Sequence, residues 1–188
     1  MNVWLEGFGK QLMVAGFRNV RIGDVNQFLK RVKDKTDGVV VQFFDASLIA
    51  GAEHLRFAAL NALNAFKSKV NISDSVAMET LLYASSQRQI KEALMHLGIG
   101  PSTDSVAVLV LAETSAQAYS TMKVVARLVG GRRDDSVLDL TDAKAAALKK
   151  LFDISEAELE SKAVQKGREA DALIDLIIEH LALLVTQR

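Results

Sequence analysis

Apolar and polar positions change period several times along the chain, and each change marks an element. Over the first 22 residues Val3, Leu5, Leu12, Val14, Phe17 and Val20 alternate loosely with polar neighbours and are separated by Gly7, Gly9 and Gly16. That pattern predicts one or two strands joined by turns. The period then becomes helical: Val25, Phe28, Leu29 and Val32 follow Asp24, an N-cap residue. Lys30, Arg31, Lys33 and Lys35 load the last turns, where cations suit the helix dipole.

Val39, Val40, Val41, Phe43 and Phe44 follow Gly38 as a run too short for a helix and apolar on both faces. It predicts a central strand ended by Asp45. From Ala52 to Phe66, spacings of three and four between Leu55, Ala58, Ala59, Ala62 and Phe66 predict a helix. Ser73 or Ser75 can cap the next, through Met78, Leu81, Leu82 and Tyr83, and a third begins near Gln87 and ends on Gly98 as a C-cap. Past Pro101, Val106 and Val108 to Leu111 predict a second buried strand. Thr114 or Ser115 opens a helix that reaches Val129 before Gly130 and Gly131. The last third is helical: Thr141 caps Asp142 to Phe152, and Ser155 with Glu158 has capping-box spacing. Leu173 to Val185 is apolar nearly all round, the mark of a buried helix. These elements predict one α/β (α+β) domain over residues 1–188. Its core is a small mixed or antiparallel sheet of about four strands surrounded by helices, with a helical C-terminal third.

Composition narrows the classes. A chain of 188 residues, 49% hydrophobic and 24% charged, is long and apolar enough to build a core. Its 23 basic and 23 acidic residues cancel, so there is no broad attraction for nucleic acid or an anionic membrane, and any RNA contact must be a local patch. The basic excess is N-terminal: residues 1–100 hold 12 basic and 9 acidic residues, and 101–188 hold 11 and 14. Absence of cysteine removes disulfides, thiol nucleophiles and thiolate metal sites. Glu6 and the lack of an apolar segment behind a basic start speak against a signal peptide. With no 18-residue apolar run, a cytoplasmic protein is expected, or a nuclear one in a eukaryote, with no membrane partner.

Catalytic motifs are missing. Gly7-Phe8-Gly9-Lys10 is too short to cradle phosphates, and neither a P-loop nor a dinucleotide fingerprint occurs. His54, His96 and His180 lie far apart without ligand spacing, so no metal site is expected. Asp134 and Asp135, beside Arg132 and Arg133 after two glycines, read as a solvated loop. Acids between 153 and 160 suit a helix N-terminus. No catalytic residue and no cofactor is implied.

One block is more specific. Phe44-Asp45-Ala46, then His54-Leu55 with Ala58, lead to Glu79-Thr80-Leu81-Leu82-Tyr83-Ala84-Ser85 and Arg88-Gln89-Ile90. This resembles the PRPK-binding protein family, the small kinase-binding subunit of the KEOPS complex. Gly16-Phe17-Arg18-Asn19, Gly98-Ile99 before a valine-rich strand, and the C-terminal apolar helix extend the likeness over most of residues 13–128 plus that helix. Residues 130–165 carry no distinct match, and Ser86 stands where a glycine is expected. The resemblance implies a non-catalytic subunit that holds the complex's atypical protein kinase/ATPase subunit. It also implies recruitment of tRNA, in archaeal forms by the acceptor end, for threonylcarbamoyladenosine modification.

Gripping single-stranded RNA needs an exposed aromatic, cations for phosphates and amides for base edges. Lys67, Lys69, Asn71, Tyr83, Gln87, Arg88, Gln89 and Lys91 supply that mixture in or beside two successive predicted helices. The plainer readings are a core Tyr83, solvated lysines, glutamines that support the next helix, and a His54 that bonds Asp45 instead of facing an RNA groove. For the protein partner, Ile174, Ile177, Ile178 and Leu181 form one stripe of the C-terminal helix, and Leu173, Leu176, Leu184 and Val185 another. One can pack inside while the other meets the kinase, or both can be closed over by the helices at 114–129 and 142–152. Two other classes compete: a small-molecule enzyme or sensor with its site between the strands at 39–44 and 106–111, and a homodimeric module that uses the C-terminal helix.

Overall fold

The computed structural model describes residues 1–163 and 168–184. Its strands are β1 (Asn2–Leu5), β2 (Lys10–Arg18), β3 (Val40–Asp45), β4 (Ser105–Ala112) and β5 (Arg132–Arg133). They form one sheet in the order β1-β2-β4-β3, antiparallel at every pairing, with β5 on β2 beyond the end of β1. Gly9, at φ 59°, supplies the left-handed residue that turns β1 into β2.

Alternation along the strands gives the sheet two apolar faces. Met13, Ala15, Phe17, Phe43, Val106, Val108 and Val110 pack under α1 (Val25–Lys35) and α5 (Ser115–Val129). Leu12, Val14, Phe44, Ala107, Leu109 and Leu111 point the other way. They meet α2 (Gly51–Ser68), α3 (Val76–Ser85), α4 (Ile90–Leu97), α6 (Asp142–Leu151), α7 (Glu156–Lys162) and α8 (Glu169–Leu183). The result is the expected mixed α+β architecture with a helical C-terminal third.

The strand at β3 is an edge, not the centre; β4 holds the middle of the sheet. Phe43 and Phe44 are buried because helices cover both faces, and Phe28 meets Phe43 edge-on at 5.0 Å. Apolarity reports covered faces and is silent on lateral neighbours. Because β3 and β4 pair directly, from Val40 with Leu111 to Asp45 with Val106, the gap between the two strands is filled by their own backbone hydrogen bonds.

Local capping chemistry sets the helix ends. Asp24, Thr114 and Thr141 accept the expected backbone N–H bonds, and the Ser155–Glu158 capping box closes in full. Ser75 caps α3, while the Ser73 hydroxyl is occupied by the Ser75 amide. The helix expected from Gln87 starts at Ile90. Ser86 adopts φ 51°, and Gln87 N–H bonds back to Leu82 O at 3.0 Å. That Schellman-type closure ends α3 and leaves residues 86–89 as an elbow.

The charged segment after Gly131 is solvent-exposed at Arg132, Arg133 and Asp135, as expected, but it is a short strand and turn held against β2, not a free loop. Arg18 Nε donates to Asp134 at 3.0 Å, and the Gly16 amide donates to Asp135 at 2.9 Å. A Cβ on Gly16 would lie 2.5 Å from Val137 Cγ2 and 2.6 Å from Asp134 O, so only glycine lets this turn lie flat on the strand.

Candidate functional site

α3 is buried from Glu79 to Ser85, and three side-chain contacts fix it. The buried Glu79 carboxylate accepts the amides of Ile72, at 3.0 Å, and Ser73, at 2.8 Å, which pins the α2–α3 loop to the first turn of α3. His54, fully buried on α2, accepts Ala50 N–H at Nδ1, 3.2 Å away, so Nε2 carries the proton and donates to Ala84 O at 2.8 Å. Burial lowers its pKa to about 4, against the raising effect of the Ala84 carbonyl. Its ring meets Phe152 edge-on at 5.9 Å, and Phe152 meets His180 at 6.1 Å.

At the far end of α3 the elbow is tied to α8. Ser86 Oγ donates to His180 O at 3.3 Å and Arg88 Nη1 to Leu184 O at 3.1 Å. The guanidinium thereby stands at the C-terminal end of α8, where a cation suits the helix dipole. Beyond the elbow, α4 buries Ala93 and Leu97 but leaves Ile90 (42%), Leu94 (46%) and Met95 (66%) exposed. Leu183, next to the carbonyl that Arg88 holds, is 52% exposed. Arg88, Gln89 and Lys91, all exposed, border these apolar side chains in the chain.

The sequence matches the model of the family described as kinase binding protein CGI-121 over residues 17–184. It is 30% identical over 165 residues to the regulatory protein Cgi121 of Methanocaldococcus jannaschii, covering 88% of this chain and 98% of that protein. The chain belongs to the CGI-121 family. The last two residues of β2 and all of β3, β4, β5 and α1 to α8 fall within the matched span, so the α3 elbow lies inside the region that matches the CGI-121 family.

Within this CGI-121 member the expected RNA-contacting residues divide into two groups. Lys67, Lys69 and Asn71 lie where α2 passes into α3: Lys67 Nζ stands over the Phe8 ring at 5.8 Å, Lys69 adopts φ 59° at the C-cap of α2, and the Asn71 amide donates to Ser73 O at 3.1 Å. Gln87, Arg88, Gln89 and Lys91 lie at the opposite end of α3, with Arg88, Gln89 and Lys91 exposed. Tyr83 is 2% exposed, so its ring is not offered for stacking. Burial and the Glu79 carboxylate push its hydroxyl pKa up, against Arg88. His54 bonds Ala50 and Ala84, neither facing a groove nor touching Asp45.

The expected partner stripe packs mainly inwards. Ile177 and Leu181 are fully buried, with Ile174 and Ile178 half-buried. Leu173 and Leu184 are buried as well, and Val185 lies outside the described residues. α8 is held between α2, α3, α6 and α7, whereas the helix at 115–129 lies on the other face of the sheet and closes nothing here. Sequence reasoning missed the α4 face. Ile90, Leu94 and Met95 outnumber what α4 needs for packing, a surplus visible in Ile-Lys-Glu-Ala-Leu-Met-His-Leu once Ala93 and Leu97 are assigned inwards.

Proposed function

We propose that this CGI-121 family member is a non-catalytic regulatory subunit that docks on the atypical protein kinase/ATPase subunit of a KEOPS complex. In that setting it helps to recruit tRNA, through its acceptor end, for threonylcarbamoyladenosine modification. The observation that carries the docking role is the exposed apolar ledge of Ile90, Leu94 and Met95, continued towards Leu183 by the Arg88 bond to the end of α8. The ledge replaces the inward-packed stripe as the kinase-facing surface. Arg88, Gln89 and Lys91 border it, so phosphate and base-edge groups stand beside the docking face.

Co-purification with the kinase tests the first part: Leu94→Glu with Met95→Glu abolishes capture at an unchanged melting temperature, and retained capture sinks the ledge. Binding of intact tRNA and of tRNA lacking its single-stranded acceptor end, at two salt concentrations, tests the second. Preference for the intact end, weakening with salt, supports recruitment. Equal or absent binding removes it and leaves kinase docking alone.

A further inference from the structure

Where β3 ends, β4 begins and α6 starts, the surface folds in to form a cleft of about 430 Å³. That volume suits a small molecule. Most of the lining residues carry a hydroxyl or a charge, and none of the ledge residues on α4 is among them. Two cations, Arg18 and Lys144, face three carboxylates, Asp45, Asp104 and Asp139.

Their pairing is incomplete in a specific way. Lys144 Nζ donates to the carbonyls of Val137, at 2.5 Å, and Ile49, at 3.4 Å, and makes no ion pair among the described residues. One of its three donors is left over. Burial lowers its pKa while Asp139 and Asp45 raise it, so both carboxylates act on the ammonium without closing on it. Arg18 uses Nε on Asp134, and its terminal nitrogens make no hydrogen bond among the described residues. On the acidic side, both Asp45 oxygens are taken, by Ser47 N–H and Thr103 Oγ1. The Asp139 carboxylate accepts no hydrogen bond among the described residues. Asp104 accepts the Ser105 hydroxyl at one oxygen, so the cleft holds unspent donors of positive charge and, in Asp139, a carboxylate with no hydrogen bond among the described residues.

A simple anion would satisfy Lys144 and Arg18 but face the carboxylates, and a simple cation would meet the reverse. We propose that the cleft binds a small zwitterion of amino-acid size, with its carboxylate at Lys144 and Arg18 and its ammonium at Asp139. The surrounding hydroxyls complete the hydrogen bonds of both ends. Charged groups sharing one partly desolvated site interact more strongly than they do in water, so matching both signs gives the site its selectivity.

The test uses the full chain, labelled with nitrogen-15 and titrated singly with each of the twenty proteinogenic amino acids, inorganic phosphate and glycerol. At least one amino acid should shift the amides of Ser47, Thr103, Asp139 and Lys144 saturably. Lys144→Met and Asp139→Asn should each weaken that binding at least tenfold. No saturable shift with any amino acid overturns the proposal, as does a response to phosphate or glycerol alone. Asp139→Asn separates the charge models: tighter binding after loss of that carboxylate means an anion site and overturns the zwitterion. Should Lys144→Met fail to fold, Asp139→Asn still decides, because the Asp139 side chain makes no hydrogen bond or ion pair among the described residues.

Discussion

The Arg88 guanidinium donates to the backbone carbonyl of Leu184 at 3.1 Å, joining points 96 positions apart in the chain. The bond makes the α3–α4 elbow and the end of α8 one structural unit. Removing it with Arg88→Ala is expected to cost roughly 1 kcal/mol, the scale of a charge-assisted bond at an exposed helix C-terminus. Amide exchange in the last turn of α8 should accelerate more than exchange in β4. Uniform acceleration would show that the bond is not local in effect.

His54 ties acid sensitivity to the core. Its folded-state pKa of about 4 lies below the 6.5 usual for histidine, so the unfolded chain binds the proton first as pH falls. Stability is complete above about pH 6.5 and declines towards pH 4, by an amount on the order of 3 kcal/mol. Urea midpoints between pH 7 and 4.5 measure this. His54→Gln should be less stable at pH 7 but flatter across the range, and an unchanged slope would remove His54 as the cause.

Glu79 holds the α2–α3 loop by accepting two buried or half-buried amides. Glu79→Ala leaves those donors without a partner and should cost about 3 kcal/mol in thermal or denaturant unfolding. Ile72 and Ser73 amides should lose exchange protection before the rest of α3 does.

Gly16 tolerates no side chain, since Val137 Cγ2 and Asp134 O occupy the space. Gly16→Ala is expected to destabilise by about 1–3 kcal/mol through overpacking. Val137→Ala should recover part of that loss in the double variant, because it withdraws one of the two obstructing atoms; strict additivity would contradict the steric account.

Features governed by neighbours in sequence were legible. Asp24, Thr114, Thr141 and Ser155 cap helices because a short polar side chain satisfies an amide two or three residues on, which needs no knowledge of the fold. The valine-rich β4 declared itself by being apolar on both faces. Features governed by distant partners were not legible. Val39 to Phe44 shares that apolarity yet lies at the sheet edge. Ile177 and Leu181 pack inwards while Leu94 and Met95 stay outside, although spacing alone treats both helices alike. The order of the segment after Gly131 depends on Arg18 and Gly16, more than a hundred positions away. The cleft is equally non-local, gathered from β2, the end of β3, the start of β4 and α6.

α3 also acts as a ruler. Its ten residues hold the Lys67–Asn71 group about 15 Å from the Gln87–Lys91 group, at 1.5 Å of rise per residue. Packing around α3 keeps that interval fixed. In the tRNA-recruiting role proposed for this chain, a mononucleotide would reach one group only and a strand long enough to bridge the helix would reach both, so affinity is expected to rise in a step with oligonucleotide length rather than in proportion to it.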